Sequence, residues 1–186
     1  NNIIIMALNL DEPIGKYFKL KDLIYSDTAV KYGINNIPGI DGNQSQIIEN
    51  LRALMGNVVD KIGNTHPDLI ITSGFRCIEL NTHPEIGGSE NSQHVWGQAA
   101  DIQVPGLTTA QLYNWVHNNI KVWDQIVWEY PENGEKSWVH VSYSRWRDRR
   151  KTTLASNLDK FHNLYGGTRT GGNNQYQDGI ELAKIV

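Results

Sequence analysis

Histidines stand at positions 66, 83, 94, 117, 140 and 162, and two of them have surroundings suited to chemistry. The first is Ser92-Gln-His94-Val-Trp-Gly97-Gln-Ala-Ala-Asp101, where Gly97 permits a tight turn between the imidazole and the carboxylate. The second is Trp138-Val-His140-Val-Ser142, which alternates as a strand does. Its alternation puts His140 on one face with Trp138 and Ser142, and Val139 and Val141 on the other. Two imidazoles and one carboxylate are the minimal protein ligand set of a catalytic zinc, whose fourth position is left to water. The competing reading is plain packing, because a histidine in a strand more often finds a hydrogen-bond partner than a metal. His94-x6-Asp101 is by itself a weak motif.

A zinc hydrolase also needs a carboxylate to move the water proton and a cation to hold the developing oxyanion. Glu129 is the candidate base. Gln125-Ile-Val-Trp-Glu129 is a second alternating run, and Asn133-Gly134 in the link to Trp138 is a strong hairpin signal. That hairpin brings Glu129 to about one strand spacing from Trp138–His140. Glu132 and Glu135 are rivals placed in the turn. Arg76 is the candidate cation, at the end of the β-rich run Leu69-Ile-Ile-Thr-Ser73-Gly74.

The elements that must position these residues are legible in outline. Ser26 or Asp27 caps a short helical turn, and residues 33–43, rich in Gly and Asn, read as a loop. Ile47, Ile48, Leu51, Leu54, Met55, Val58, Val59 and Ile62 form the apolar face of a helix over 44–62, stopped by Gly63-Asn64. Leu69–Ser73 reads as a buried strand and Ala99–Val104 as a second. Thr108 or Thr109 caps a helix through about Asn119 with Leu112, Trp115 and Val116 inward. A helix is expected over Thr153–Tyr165, then a flexible linker from Gly166 to Asp178 and a short helix from Ile180 to Val186. The division is an extension over 1–15, a domain over 16–150 and a C-terminal extension over 151–186. Helices precede clustered strands, so the class is α+β.

Composition excludes several function classes. The 186 residues carry a net charge of −3, against a strongly basic nucleic-acid binder, although 145–151 holds a local basic cluster. The single cysteine, Cys77, excludes an internal disulfide framework and a Cys-rich zinc site, and reads as a small buried residue. The longest fully apolar run, Ile3 to Leu8, is far short of the ~20 residues of a membrane span. No signal peptide is visible, since the first lysine, Lys16, follows that run. Trp96, Trp128 and Trp138 read first as core, with at least one lining a groove for a peptide or sugar.

Thr72-Ser-Gly-Phe-Arg76, Asn81, Gly87-Gly88, Ser92-x-His94-x-x-Gly97-x-Ala99-x-Asp101 and Trp138-Val-His140-Val, in this order, resemble the zinc D-alanyl-D-alanine carboxypeptidase superfamily. It includes bacterial D,D-peptidases and phage L-alanyl-D-glutamate endolysins and shares the hedgehog fold. The likeness covers roughly residues 16–144 and is nearest to a phage-type subgroup with Gln-x-Ile-x-Glu before Trp-Val-His-Val-Ser, although Gln125-Ile-Val-Trp-Glu129 meets that pattern only at its ends. It implies a small antiparallel sheet with helices packed on it and one Zn2+ held by His94, Asp101 and His140. It also implies Arg76 as the group for substrate carboxylate or scissile carbonyl, with Ser92 and Trp138 on the substrate side. Many members carry an acidic base three residues before the last ligand; here that residue is Ser137, so either Glu129 serves from the neighbouring strand, as the hairpin favours, or hydrolysis is impaired. The implied function is hydrolysis of peptidoglycan stem peptides by a phage enzyme held in the host cytoplasm until lysis or carried in the virion. The alternative is a non-catalytic tail or capsid protein that keeps the zinc and docks on virion partners through 145–186.

Overall fold

The computed structural model describes residues 8–129 and 137–146, and the backbone of 151–154. Within these, two short helices, α1 (Leu20–Ile24) and α2 (Asp27–Tyr32), precede α3 (Gln44–Leu54) and α4 (Asp60–Gly63). Then follow β1 (Ile70–Ser73), α5 (Ile78–Asn81), β2 (Ala99–Gln103), α6 (Thr109–Asn119), β3 (Gln125–Glu129), β4 (Trp138–Ser142) and β5 (Lys151–Leu154). The class is α+β, as the order of patterns predicts. Among the described residues no helix is long and apolar enough to cross a membrane.

The sheet order is β1-β2-β4-β3-β5. The first four strands pair antiparallel, and β5 joins the far edge parallel to β3. The expected helix from Thr153 is therefore corrected at its start, since Thr153 and Leu154 lie in a strand. Its remainder, the linker and the terminal helix lie outside the described residues, as do the Asn133-Gly134 turn with Glu132 and Glu135, and most of the 145–151 basic cluster. The hairpin itself is present, with Glu129 opposite Trp138 and Val127 opposite His140.

Alternation gives the sheet two unlike faces. Ala100, Ile102, Ile126, Trp128, Val139 and Val141 face one core with Leu51, Leu54, Val58, Ile62, Leu112 and Val116 of the helices. The opposite face carries Asp101, His140 and Glu129. The helix expected over 44–62 runs along this core but widens to a π-helical turn over Met55–Val59, which keeps Met55, Val58, Val59 and Ile62 all fully buried. In α6 the Thr108 capping box is present, and Tyr113, not Trp115, is fully buried beside Leu112 and Val116. Trp115 is half-buried, edge-on to His66.

Leu69–Ser73 is not the buried strand its apolar run predicts. β1 is a sheet edge, with Leu69 buried but Ile70 46% exposed. Just beyond it, Gly74 presses on α1: a Cβ there would overlap the Leu23 carbonyl oxygen, which accepts the Phe75 N–H at 2.7 Å. Gly97 is needed twice over, for its φ of +66° and because a Cβ would lie 2.8 Å from the Ile47 carbonyl oxygen. By contrast, a Cβ on Gly56 meets nothing within 4 Å. In urea melts, Gly74→Ala should lower stability by about 1–3 kcal/mol through overpacking. Gly56→Ala should raise it by about 0.5–1 kcal/mol through lost unfolded-state entropy.

Candidate metal and catalytic site

The β2–β4 register sets Asp101 directly opposite His140. The two side chains therefore leave the same sheet face, and His140 Nδ1 lies 3.0 Å from Asp101 Oδ1. His94 arrives from the turn before β2. Ser92 opens that turn, its Oγ accepting the His94 N–H at 3.3 Å, and Gly97 closes it. His94 Nε2 then lies 3.3 Å from Asp101 Oδ1 and 3.2 Å from His140 Nδ1.

The protonation of His94 follows from its other nitrogen. Nδ1 is 2.6 Å from the Gly74 carbonyl oxygen, which can only accept, so Nδ1 carries the hydrogen and Nε2 presents a lone pair. That lone pair faces a carboxylate oxygen, so a cation or a bridging proton must lie among the three atoms. Zinc arms of about 2.0–2.1 Å in a tetrahedron give ligand-to-ligand edges of about 3.3–3.4 Å, close to the separations found. His94, Asp101 and His140 thus fit a zinc ion, and the Gly74 carbonyl is the partner that orients an imidazole ligand.

Burial shapes the charges. His94 is buried and pushed down from the ordinary histidine range chiefly by desolvation, so it is neutral, as a ligand must be. Burial pushes Asp101 up, but the facing imidazoles of His94 and His140 outweigh it and hold the carboxyl well below the usual range. Arg76 Nη2 lies 3.5 Å from Asp101 Oδ2, a long contact, and its buried Nε has no hydrogen-bond partner among the described residues. Desolvation lowers its pKa, and Asp101 and Glu129 partly offset this.

Glu129 sits two register steps along the hairpin from Val127, which faces His140, so Glu129 and His140 are diagonal neighbours on the site face. Its carboxyl is pushed up to about 7, mostly by burial and further by Asp101, against the pull of His140 and Arg76. Trp138, opposite Glu129, is half-buried on this same face. Arg76, Ser92, His94, Asp101, Glu129, Trp138 and His140 thus lie on or beside one patch of sheet, whereas Trp128 is buried in the core on the other face, Trp96 is 41% exposed, and Cys77 lies away from the patch. Cys77 is buried in the core, and desolvation pushes its thiol up, away from the thiolate a nucleophile needs.

The supporting roles of Ser137 and of the Gln93–Asp124 pair escaped the sequence reading. Ser137, where an acid was sought, is buried: its hydroxyl accepts from Trp128 Nε1 at 2.8 Å and donates to the Glu129 carbonyl at 2.8 Å. It holds the strand that bears Glu129. Gln93 Nε2 donates to the buried Asp124 carboxylate at 2.8 Å and ties the His94 turn to the start of β3. Their only sequence signal was position beside a site residue.

The family model described as Peptidase M15 matches residues 16–142, a span that holds all the residues of this patch. A search of curated proteins returns no match for the chain.

The raised Glu129 pKa makes a prediction for the metal-free protein. In the unfolded chain the carboxyl ionises near 4.5, but in the fold it keeps its proton to about 7. Between these values the folded state binds more protons, so this group's contribution to stability falls as pH rises and levels off above about 7. Glu129→Gln removes that penalty. With chelator present, the variant should be more stable than wild type at pH 8, on the order of 1–3 kcal/mol, and equal to it near pH 4. Thermal melts across this range check the sign.

Proposed function

The chain belongs to the peptidase M15 family of zinc-dependent metallopeptidases, and on that premise we propose that it hydrolyses a peptide bond in the stem peptides of bacterial peptidoglycan. The observation that carries this reading is the convergence of three ligand atoms, a half-buried guanidinium and the Glu129 carboxyl on one sheet face.

His94 through Nε2, His140 through Nδ1 and Asp101 through Oδ1 are the atoms that would hold zinc. When bound, zinc polarises a carbonyl oxygen and lowers the pKa of a coordinated water to about 7. Glu129 serves as the base: its carboxylate, diagonal to His140 on the site face, takes a proton from the attacking water and returns it to the leaving amine. Arg76 offers a guanidinium whose Nε has no partner among the described residues and whose Nη2 contact is long, so it can offer donors to a substrate carboxylate or to the developing oxyanion. Trp138, half-buried opposite Glu129 on the same face, is placed to meet substrate beside them. Ser92 acts first through the turn that carries His94.

The sequence likeness to phage-type enzymes, Gln125 and Glu129 before Trp138–Ser142 above all, supports a wall hydrolase acting at phage lysis or from the virion. The substitution of Ser137 for an acid is compatible with catalysis, because its hydroxyl bonds the backbone of the residue that takes the acid's place.

Zinc-loaded protein incubated with purified sacculi should release new peptide termini, read by mass spectrometry, which name the bond cut. Glu129→Gln should keep its zinc and lose at least 100-fold in rate, as expected for a general base. Zinc-loaded wild type that binds or ignores sacculi of several wall types without any cleavage refutes the hydrolase and favours the non-catalytic virion protein.

A further inference from the structure

We propose that Asn36 is the positioning residue of Arg76. This inference rests on the reading of Arg76 as a substrate-binding cation and adds what holds that cation in place. The guanidinium has no strong bond of its own: Nη2 makes only the 3.5 Å contact to Asp101, and Nε has no partner among the described residues. Its placement must therefore come from its backbone, which lies in no strand or helix, between the end of β1 at Ser73 and the start of α5 at Ile78.

Asn36 supplies that order from the loop over 33–43. It is buried, and its amide group makes three hydrogen bonds. Nδ2 donates to the Phe75 carbonyl at 3.0 Å and to the Ile24 carbonyl at 2.7 Å, while Oδ1 accepts the Cys77 N–H at 2.7 Å. Both peptide groups that flank Arg76 are thus gripped by one side chain, and the same side chain anchors them to the end of α1. The Arg76 N–H itself reaches the His94 carbonyl at 3.3 Å.

A carboxamide is the group this place requires. It needs two donors and one acceptor in a plane, with no charge to desolvate. Aspartate would keep the bond to Cys77 but set carboxylate oxygens against two carbonyls, and alanine would leave all three backbone groups unpaired. The same loop offers a control. Asp41 Oδ2 accepts the Ile78 N–H at 2.8 Å, at the first residue of α5, and touches neither peptide group of Arg76.

The test compares Asn36→Ala, Asp41→Ala, Arg76→Ala and Asn36→Ala/Arg76→Ala, each zinc-loaded, on purified sacculi, with zinc content measured and thermal melts run. A positioning role predicts that Asn36→Ala keeps its zinc and lowers the low-substrate rate by on the order of 10²-fold, as misplacement of a catalytic group does. It predicts that the same change costs little more once Arg76 is already alanine, and that Asp41→Ala loses stability but not rate. Equal fold-losses in both backgrounds, or loss of zinc from Asn36→Ala, overturn the proposal. If Asn36→Ala does not fold, Asn36→Ser, small and uncharged, replaces it, with the same expectations.

A readout that does not depend on turnover separates this inference from the reading beneath it. In 1H–15N spectra, the buried Arg76 Nε–H of wild type should give a sharp, slowly exchanging signal, kept in Asp41→Ala and broadened or lost in the Asn36 variant. If Arg76→Ala leaves the rate unchanged, the substrate-binding reading of Arg76 fails, and the spectra alone decide whether Asn36 orders it. An Arg76 signal unchanged in the Asn36 variant overturns the proposal.

Discussion

A carboxylate buried in a sheet, 5% exposed, costs several kcal/mol unless charged or hydrogen-bonding partners stand around it, and Asp101 is such a group. Its partners come from three places in the chain. His140 lies opposite it by strand register, His94 comes over the sheet from the preceding turn, and Arg76 comes from the end of the edge strand. None of these is free to drift. His94 is pinned through Nδ1 to the Gly74 carbonyl, and the Arg76 N–H returns to the His94 carbonyl, so the two segments clasp each other two residues apart. The glycine at 74 admits this clasp to within hydrogen-bond reach of α1.

The sheet's alternation divides labour. One face is core, and its apolar side chains fix the strands at the register that the other face needs. A slip of one residue between β2 and β4 would turn Asp101 into the core and an isoleucine or alanine into the site, so packing and site geometry are set by the same pairing. The base position follows the same logic. With serine three residues before His140, the base we propose, Glu129, stands on the neighbouring strand, and the serine hydroxyl ties the two strands together.

Much of this was legible in the sequence because it is periodic or local. The eight apolar positions from Ile47 to Ile62 mark the long helix, and the alternation of 125–129 and 138–142 with Asn133-Gly134 between them places Glu129 near His140. The likeness to the zinc carboxypeptidase superfamily then supplies the ligand set, which spacing alone leaves open. What was hidden is what depends on distant backbone. Asn36 reads as one more polar residue of a Gly/Asn-rich loop, because its partners at Phe75 and Cys77 lie 39 and 41 residues away. Ile70 reads as buried because a run of three apolar residues does not say that its strand is an edge. Trp115 packs against the core as expected but only half-buried, while Tyr113 beside it is fully buried, because helical periodicity brackets both and only the packing decides how deep each goes. The π-helical turn at Met55–Val59 is invisible to a period of 3.6.

The claim on which the account depends is that His94, Asp101 and His140 together hold one zinc ion. X-ray absorption at the zinc edge of protein loaded with one equivalent of metal tests it directly. The account predicts a nitrogen and oxygen shell at about 2.0–2.1 Å with the scattering of two imidazoles, reduced to one in His140→Ala. A shell without imidazole scattering, one containing the sulfur of Cys77, or one unchanged in His140→Ala would contradict it.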